Sequence, residues 1–136
     1  MNNKKVGNTY EEKAAQYMSD HGFYAILVPP NKYGAQPTDI IAVNKNLPVL
    51  LDVKHSTDME FKLVNCRPNQ LDAMETFDKR TNGLAGFVIY YNDIPYWLSF
   101  PAVKRMLKIG QKSVLITGLL TMDMVLEIML KRSKRA

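Results

Sequence analysis

The sequence predicts an α/β fold, a central mixed β-sheet flanked by helices. Two observations predict it. Helical and strand-like periodicities follow one another in the order helix, several strands, helix, strand hairpin, helix. The 136 residues, 46% of them apolar and 23% charged, fit one globular domain. A domain of that size buries roughly two-thirds of its unfolded surface and needs no disulfide or metal to fold.

The first element is a helix over Asn8 to Asp20. Tyr10, Ala14, Tyr17 and Met18 recur at helical spacing, Glu11 and Glu12 fall in its first turn, and Gly22 ends it. Strand-like runs follow at Phe23–Val28, Asp39–Val43 and Val49–Lys54. Pro29 to Pro37 is a loop by composition, and Asn44-Lys45-Asn46 is a turn suited to a hairpin. Phe61–Val64 is a further short strand. Pro68 opens a helix through about Arg80, because proline is tolerated at a first helical position and Asn82-Gly83 stops the run. Ala85–Tyr91 and Tyr96–Phe100 form a hairpin about Asn92-Asp93, and Pro101 starts a short helix through Lys108. Thr121 is the N-cap of a last helix carrying Met122, Val125, Leu126, Met129 and Leu130.

Charge is distributed unevenly. The chain has 18 basic and 13 acidic side chains, for a net of +5. Residues 1–100 carry 10 basic and 11 acidic groups, and residues 101–136 carry 8 and 2. The whole basic excess therefore lies in the last quarter, a pattern that suits contact with a polyanion and equally fits a solvated basic tail. No apolar run approaches the ~18 residues of a membrane span, and no apolar stretch follows the basic start as in a signal peptide. The single Cys66 excludes an internal disulfide. A cytoplasmic location is expected, with no membrane partner.

The oddest residue is Asp52, set in the apolar run Val49-Leu50-Leu51-Asp52-Val53. A carboxylate there is costly unless it is paired or bound to a metal. Alternation along a strand puts Asp52 and Lys54 on one face. A hairpin turn centred between 45 and 46 brings Asp39 opposite Asp52. Two facing carboxylates repel unless a divalent cation lies between them. Oxygen ligands of this kind suit Mg²⁺, with Mn²⁺ as a substitute. Asp39, Asp52 and the main-chain carbonyl of Val53 are the candidate ligands, and Lys54 is a cation placed to orient water or neutralise a phosphate. The set suits metal-assisted phosphodiester hydrolysis. Spacing alone fits a plain Asp52–Lys54 salt bridge as well, with Asp39 capping its strand.

The run Pro37-Thr38-Asp39, then twelve residues, then Asp52-Val53-Lys54 resembles the signature of the PD-(D/E)XK nuclease superfamily. Gly7-Asn8-Thr9-Tyr10-Glu11 is similar to the G-x-x-x-E on the first helix of Holliday junction resolvases. Asn69-Gln70, Gly83 to Tyr91, Tyr96-Trp97-Leu98 and Gly110-Gln111-Lys112-Ser113-Val114 resemble successive segments of the RecU resolvases. Thr38-Asp39-Ile40-Ile41-Ala42 is similar to a run in the compact archaeal Hjc resolvases, the more distant of the two relatives. The resemblance covers about residues 7–118, and its specific part is the order of the motifs.

The resemblance implies a restriction-endonuclease-like core over 1–136, with a basic C-terminal helix or tail at about 121–136. It implies that Glu11 joins Asp39 and Asp52 as a metal-site acid, that Lys54 is the catalytic lysine, and that Gln70 orients water or ligands. The activity implied is Mg²⁺-dependent cleavage of four-way DNA junctions in recombination and repair by a homodimer. The second acid is Asp52 where RecU carries Glu, and only Pro29 to Thr38 stands where RecU inserts a stalk. Lys32, Lys112, Lys131, Arg132, Lys134 and Arg135 are candidate DNA contacts. The alternatives are a nuclease of the same superfamily acting on flaps or duplex DNA, and a non-catalytic DNA-binding module. Other residues take plainer readings. Glu12 and His55 are read as surface groups, His21 as a helix-end group, and Cys66 as a partly buried small residue. Tyr96 and Trp97 are core or dimer contacts. Met122, Val125 and Met129 pack on the sheet or on a second subunit.

Overall fold

The structure is a computed structural model. It describes residues 3–29 and 38–135, with side chains over 9–29 and 38–132. Its elements are α1 (Asn3–Asp20), β1 (Tyr24–Leu27), β2 (Ile40–Asn44), β3 (Leu47–His55), β4 (Glu60–Lys62), α2 (Pro68–Arg80), β5 (Leu84–Tyr91), β6 (Ile94–Ser99), α3 (Phe100–Lys108), β7 (Ser113–Leu115) and α4 (Met122–Arg135). Single 3₁₀ turns follow β4 and β7.

The main sheet has the order β1-β2-β3-β5-β6. It is mixed: β3 and β5 run parallel, and the other pairs are antiparallel. The parallel pair needs a long crossover, and α2 lies within it. Along the central strands, alternate side chains enter two separate cores. Val49, Leu51, Val88, Tyr90 and Trp97 meet Ala14 and Met18 of α1 and Met122, Val125 and Leu126 of α4. Leu50, Ala85, Phe87, Ile89 and Leu98 meet Met74 of α2 and Phe100 and Val103 of α3. Both faces of β3 and β5 are thus covered, which accounts for their nearly continuous apolar sequences.

The expected sheet, hairpins and helices are present, with four differences. The expected strand Phe61–Val64 is strand only at Phe61 and Lys62, because the chain turns into a 3₁₀ turn at Leu63. The first helix begins at Asn3 rather than Asn8. The hairpin turn closes on Lys45-Asn46 alone, because Asn44 and Leu47 still pair; Lys45 takes a positive φ of 49° there. A strand not anticipated, β7, pairs with β4 to make a second, two-stranded sheet. Its three residues are too few to show a periodicity. The last helix is capped as expected, the Thr121 hydroxyl accepting from the Met124 amide at 3.3 Å. Trp97, Met122 and Val125 are buried in the core, whereas Tyr96 and Met129 are half-buried against it.

Gly83, just before β5, passes against β3. A Cβ at this position would lie 1.9 Å from the carbonyl oxygen of Pro48. Backbone cannot yield as a side-chain tip can. Gly83→Ala is expected to destabilise the protein by about 2–3 kcal/mol, read as a lower urea midpoint.

Candidate active site

The hairpin register fixes the site. Ile40 pairs with Leu51, so Asp39 lies one step further on, opposite Asp52. The Asp39 amide donates to the Leu51 carbonyl at 3.0 Å, extending the ladder to that point. The Asp39 carboxylate then accepts from the Val53 amide at 2.7 Å. Asp39 and Asp52 are both buried, Asp52 to 2% exposure.

Lys54 projects from the same face as Asp52, and its Nζ lies 2.9 Å from Asp52 Oδ2. That approach is a close ion pair without hydrogen-bond geometry, and Oδ2 is left with no hydrogen-bond donor despite its burial. Lys54 Nζ also donates to Gln70 Oε1 at 3.3 Å. Gln70 stands in the first turn of α2, where the same Oε1 accepts from the Arg67 amide at 3.1 Å. The helix opened by Pro68 therefore carries Gln70 to the lysine with its carbonyl end already fixed.

Glu11 reaches the site from α1. Together with Asp39, Asp52, Lys54 and Gln70 it lines one open cleft of about 330 Å³, which Val53, Arg67 and Asn69 complete. All five residues expected to act are thus brought to one place. Arg67 was not anticipated, since nothing in its sequence context marks it beyond its place before Pro68. Lys112 lies outside this cleft, near the β4–β7 sheet, and Lys131 and Arg132 are exposed on α4. Lys131 is also paired with Glu127 at 3.2 Å. Lys32 falls outside the described residues, and so do the side chains of Lys134 and Arg135.

The electrostatics are those of crowded acids. Burial pushes the Asp52 carboxyl up to about 7, the Asp39 charge adds to the rise, and Lys54 opposes it. Burial and then Asp39 push Glu11 up to about 7 as well. The neighbouring Cys66 thiol is pushed up by burial to about 12, which leaves it inert as a nucleophile. Among the described residues, no three His, Cys, Asp or Glu side chains form a ready-made metal cage. The donors nonetheless fit a hard divalent cation. They are carboxylate oxygens, they repel one another, and Asp52 Oδ2 is buried without a hydrogen-bond partner.

His55 is exposed, as expected of a surface residue, and stacks on Tyr10 with ring centroids 4.4 Å apart. The Tyr10 hydroxyl donates to Asp93 at 3.3 Å, and Lys13 pairs with Asp93 at 3.2 Å. These contacts tie α1 to the end of the sheet beside Glu11.

A mixed sheet with an acid–acid–lysine hairpin, met by a glutamate from the first helix, defines a nuclease of the PD-(D/E)XK superfamily. The chain belongs to the archaeal Holliday junction resolvase (Hjc) family, whose family model matches residues 2–134. That is the more distant of the two relatives that the motifs resemble. Hjc from Archaeoglobus fulgidus, described as a Holliday junction resolvase from an archaeal hyperthermophile, shares the fold at a TM-score of 0.68. The two are 17% identical, and the match covers 88% of this chain and 99% of that one. No curated protein matches the chain in sequence. The protein is thus a Holliday junction resolving nuclease. Among the described residues, no helix is long and apolar enough to cross a membrane.

Proposed function

We propose that the chain resolves four-way DNA junctions by Mg²⁺-dependent hydrolysis at the cleft of Glu11, Asp39, Asp52, Lys54 and Gln70, acting as a homodimer. The observation that carries this reading is the convergence of three acids, a lysine and a glutamine from α1, β2–β3 and α2 on one cleft. Asp39, Asp52 and the Val53 carbonyl would hold the ion, with Glu11 beside them. A bound Mg²⁺ would acidify a water and polarise the phosphoryl oxygen.

The remaining work belongs to the protein's own groups. Lys54, held between Asp52 and Gln70, places a fixed positive charge at the cleft where the scissile phosphate gains charge. Gln70 holds the lysine through Oε1, and its side-chain NH₂ is a donor to water or phosphate. Mn²⁺ is expected to replace Mg²⁺, as both accept oxygen donors. Cuts of like polarity in two strands require two sites related by a two-fold axis, which a homodimer supplies.

The test is cleavage of a substrate panel with Mg²⁺, together with sedimentation of the protein. Junctions are expected to be cut in paired, symmetric strands in preference to flaps, duplexes and single strands, by a species of twice the chain mass. Equal cutting of duplex and junction would contradict the junction reading, and an active monomer would contradict the dimer.

A further inference from the structure

Beside the catalytic cleft lies a continuous ledge. A second cleft of about 710 Å³ shares Lys54 and Arg67 with the catalytic one and extends to Lys62. A third, of about 410 Å³, shares Glu60 and Lys62 with the second and reaches Lys112. The small β4–β7 sheet builds this ledge. Phe61 is buried beneath it, so alternation turns Glu60 and Lys62 outward. Lys62 pairs with Ser113, and the Leu63 amide donates to the Lys112 carbonyl at 2.9 Å, so the Lys112 backbone lies opposite Leu63, one step along from Lys62, and both lysines line the third cleft.

The charges along the ledge are available. Among the described residues, Lys62, Arg67 and Lys112 stand in no ion pair, as do Lys45, Arg80, Arg105, Lys108 and Arg132 elsewhere, whereas Lys13, Lys79, Lys104 and Lys131 are each held by a carboxylate. Of the two acids present, Asp58 is engaged by its own turn, where Oδ1 accepts from the Glu60 amide at 3.0 Å. Glu60 remains exposed next to Lys62.

We propose that this ledge carries the DNA strand flanking the scissile phosphate, with Arg67, Lys62 and Lys112 meeting successive backbone phosphates. The proposal rests on the resolvase reading and deepens it by giving the strand a path. A phosphodiester backbone is the chemistry that spaced, exposed, unpaired cations recognise without regard to sequence. Glu60 opposes binding by its sign, so its removal acts in the reverse direction.

The test is binding of a labelled synthetic four-way junction in EDTA over a range of salt concentrations. The triple variant Lys62→Gln/Arg67→Gln/Lys112→Gln is expected to lose about tenfold or more in affinity at low salt. Its salt slope should fall by roughly 2–3, on the basis of about 0.9 per phosphate contact. Glu60→Gln should raise low-salt affinity by about two- to fivefold. Lys79→Gln, on α2 away from the ledge, should match the wild type. Circular dichroism checks that each variant is folded. A folded triple variant with wild-type affinity and slope overturns the ledge alone, because wild-type binding then stands. Weaker binding by Glu60→Gln also overturns it. A wild-type chain that neither binds nor cuts the junction overturns the resolvase reading, and the ledge with it.

Discussion

Asp52→Asn is expected to abolish cleavage and, at the same time, to stabilise the metal-free protein. The loss of activity follows from its place. It is the buried acid beside Lys54, and its removal takes from the cleft a charge proposed to hold the metal, a change expected to cost about 10³-fold or more. The gain in stability follows from the same burial. The folded protein holds this carboxyl at about 7, well above its ordinary 3.8. The folded state therefore binds the proton more tightly than the unfolded chain. The associated stability is fully present below about pH 4 and is lost as pH rises through about 7. At about 1.4 kcal/mol per pKa unit, the buried charge weakens the metal-free protein by on the order of 4 kcal/mol at pH 8 relative to pH 4. Glu11 shifts in the same direction. Urea midpoints in EDTA should show Asp52→Asn more stable than the wild type at pH 8, with the difference shrinking by pH 5. A variant that is less stable at both pH values would contradict this account.

Lys54→Met is expected to have the opposite effect on stability, and only while Asp52 is present. Taking the cation from a buried pair leaves a carboxylate without compensation, a loss of about 3 kcal/mol or more when the acid is ionised. In the Asp52→Asn background no such charge remains, and the same substitution should cost less than about 1 kcal/mol. The four proteins form a cycle, and unfolding at pH 8 in EDTA should give a coupling of about 2 kcal/mol between the two positions. At pH 5 the wild-type acid is largely protonated, so the coupling should fade. A coupling near zero at pH 8 would mean that the 2.9 Å approach contributes little, and that Lys54 is held by Gln70 instead.

The hairpin that carries Asp39, Asp52 and Lys54 was legible in the sequence because its evidence is local. A short turn fixes the register, and an acid inside an apolar strand stands out against its neighbours. The helix from Pro68 to Arg80 was likewise readable from proline at its start and Asn82-Gly83 after its end. What eluded the sequence depends on distant segments. β7 is a strand because β4 offers it an edge 51 residues upstream at the Lys62–Ser113 pair, and no pattern in three residues can announce that. Arg67 enters the cleft because α2 packs on the sheet, a fact of tertiary geometry. The early start of α1 extends beyond the Gly22-to-Asn8 pattern that the spacing of Tyr10, Ala14 and Tyr17 supports.

The two cores also explain how a crowded acidic cleft is tolerated. Ile40, Leu51 and Val49 anchor the hairpin on the α1 side, while Phe87 and Met74 pack on the α2 side. Apolar burial around β3 offsets the repulsion of Asp52 with Glu11 on α1 and Asp39 at the start of β2.

The most direct test is cleavage of a synthetic four-way junction by the wild type and by Asp52→Asn, each with Mg²⁺ and with EDTA. The account predicts paired nicks from the wild type with Mg²⁺ alone, and none in the other three reactions. Equal cutting by Asp52→Asn, or cutting by the wild type in EDTA, would contradict it.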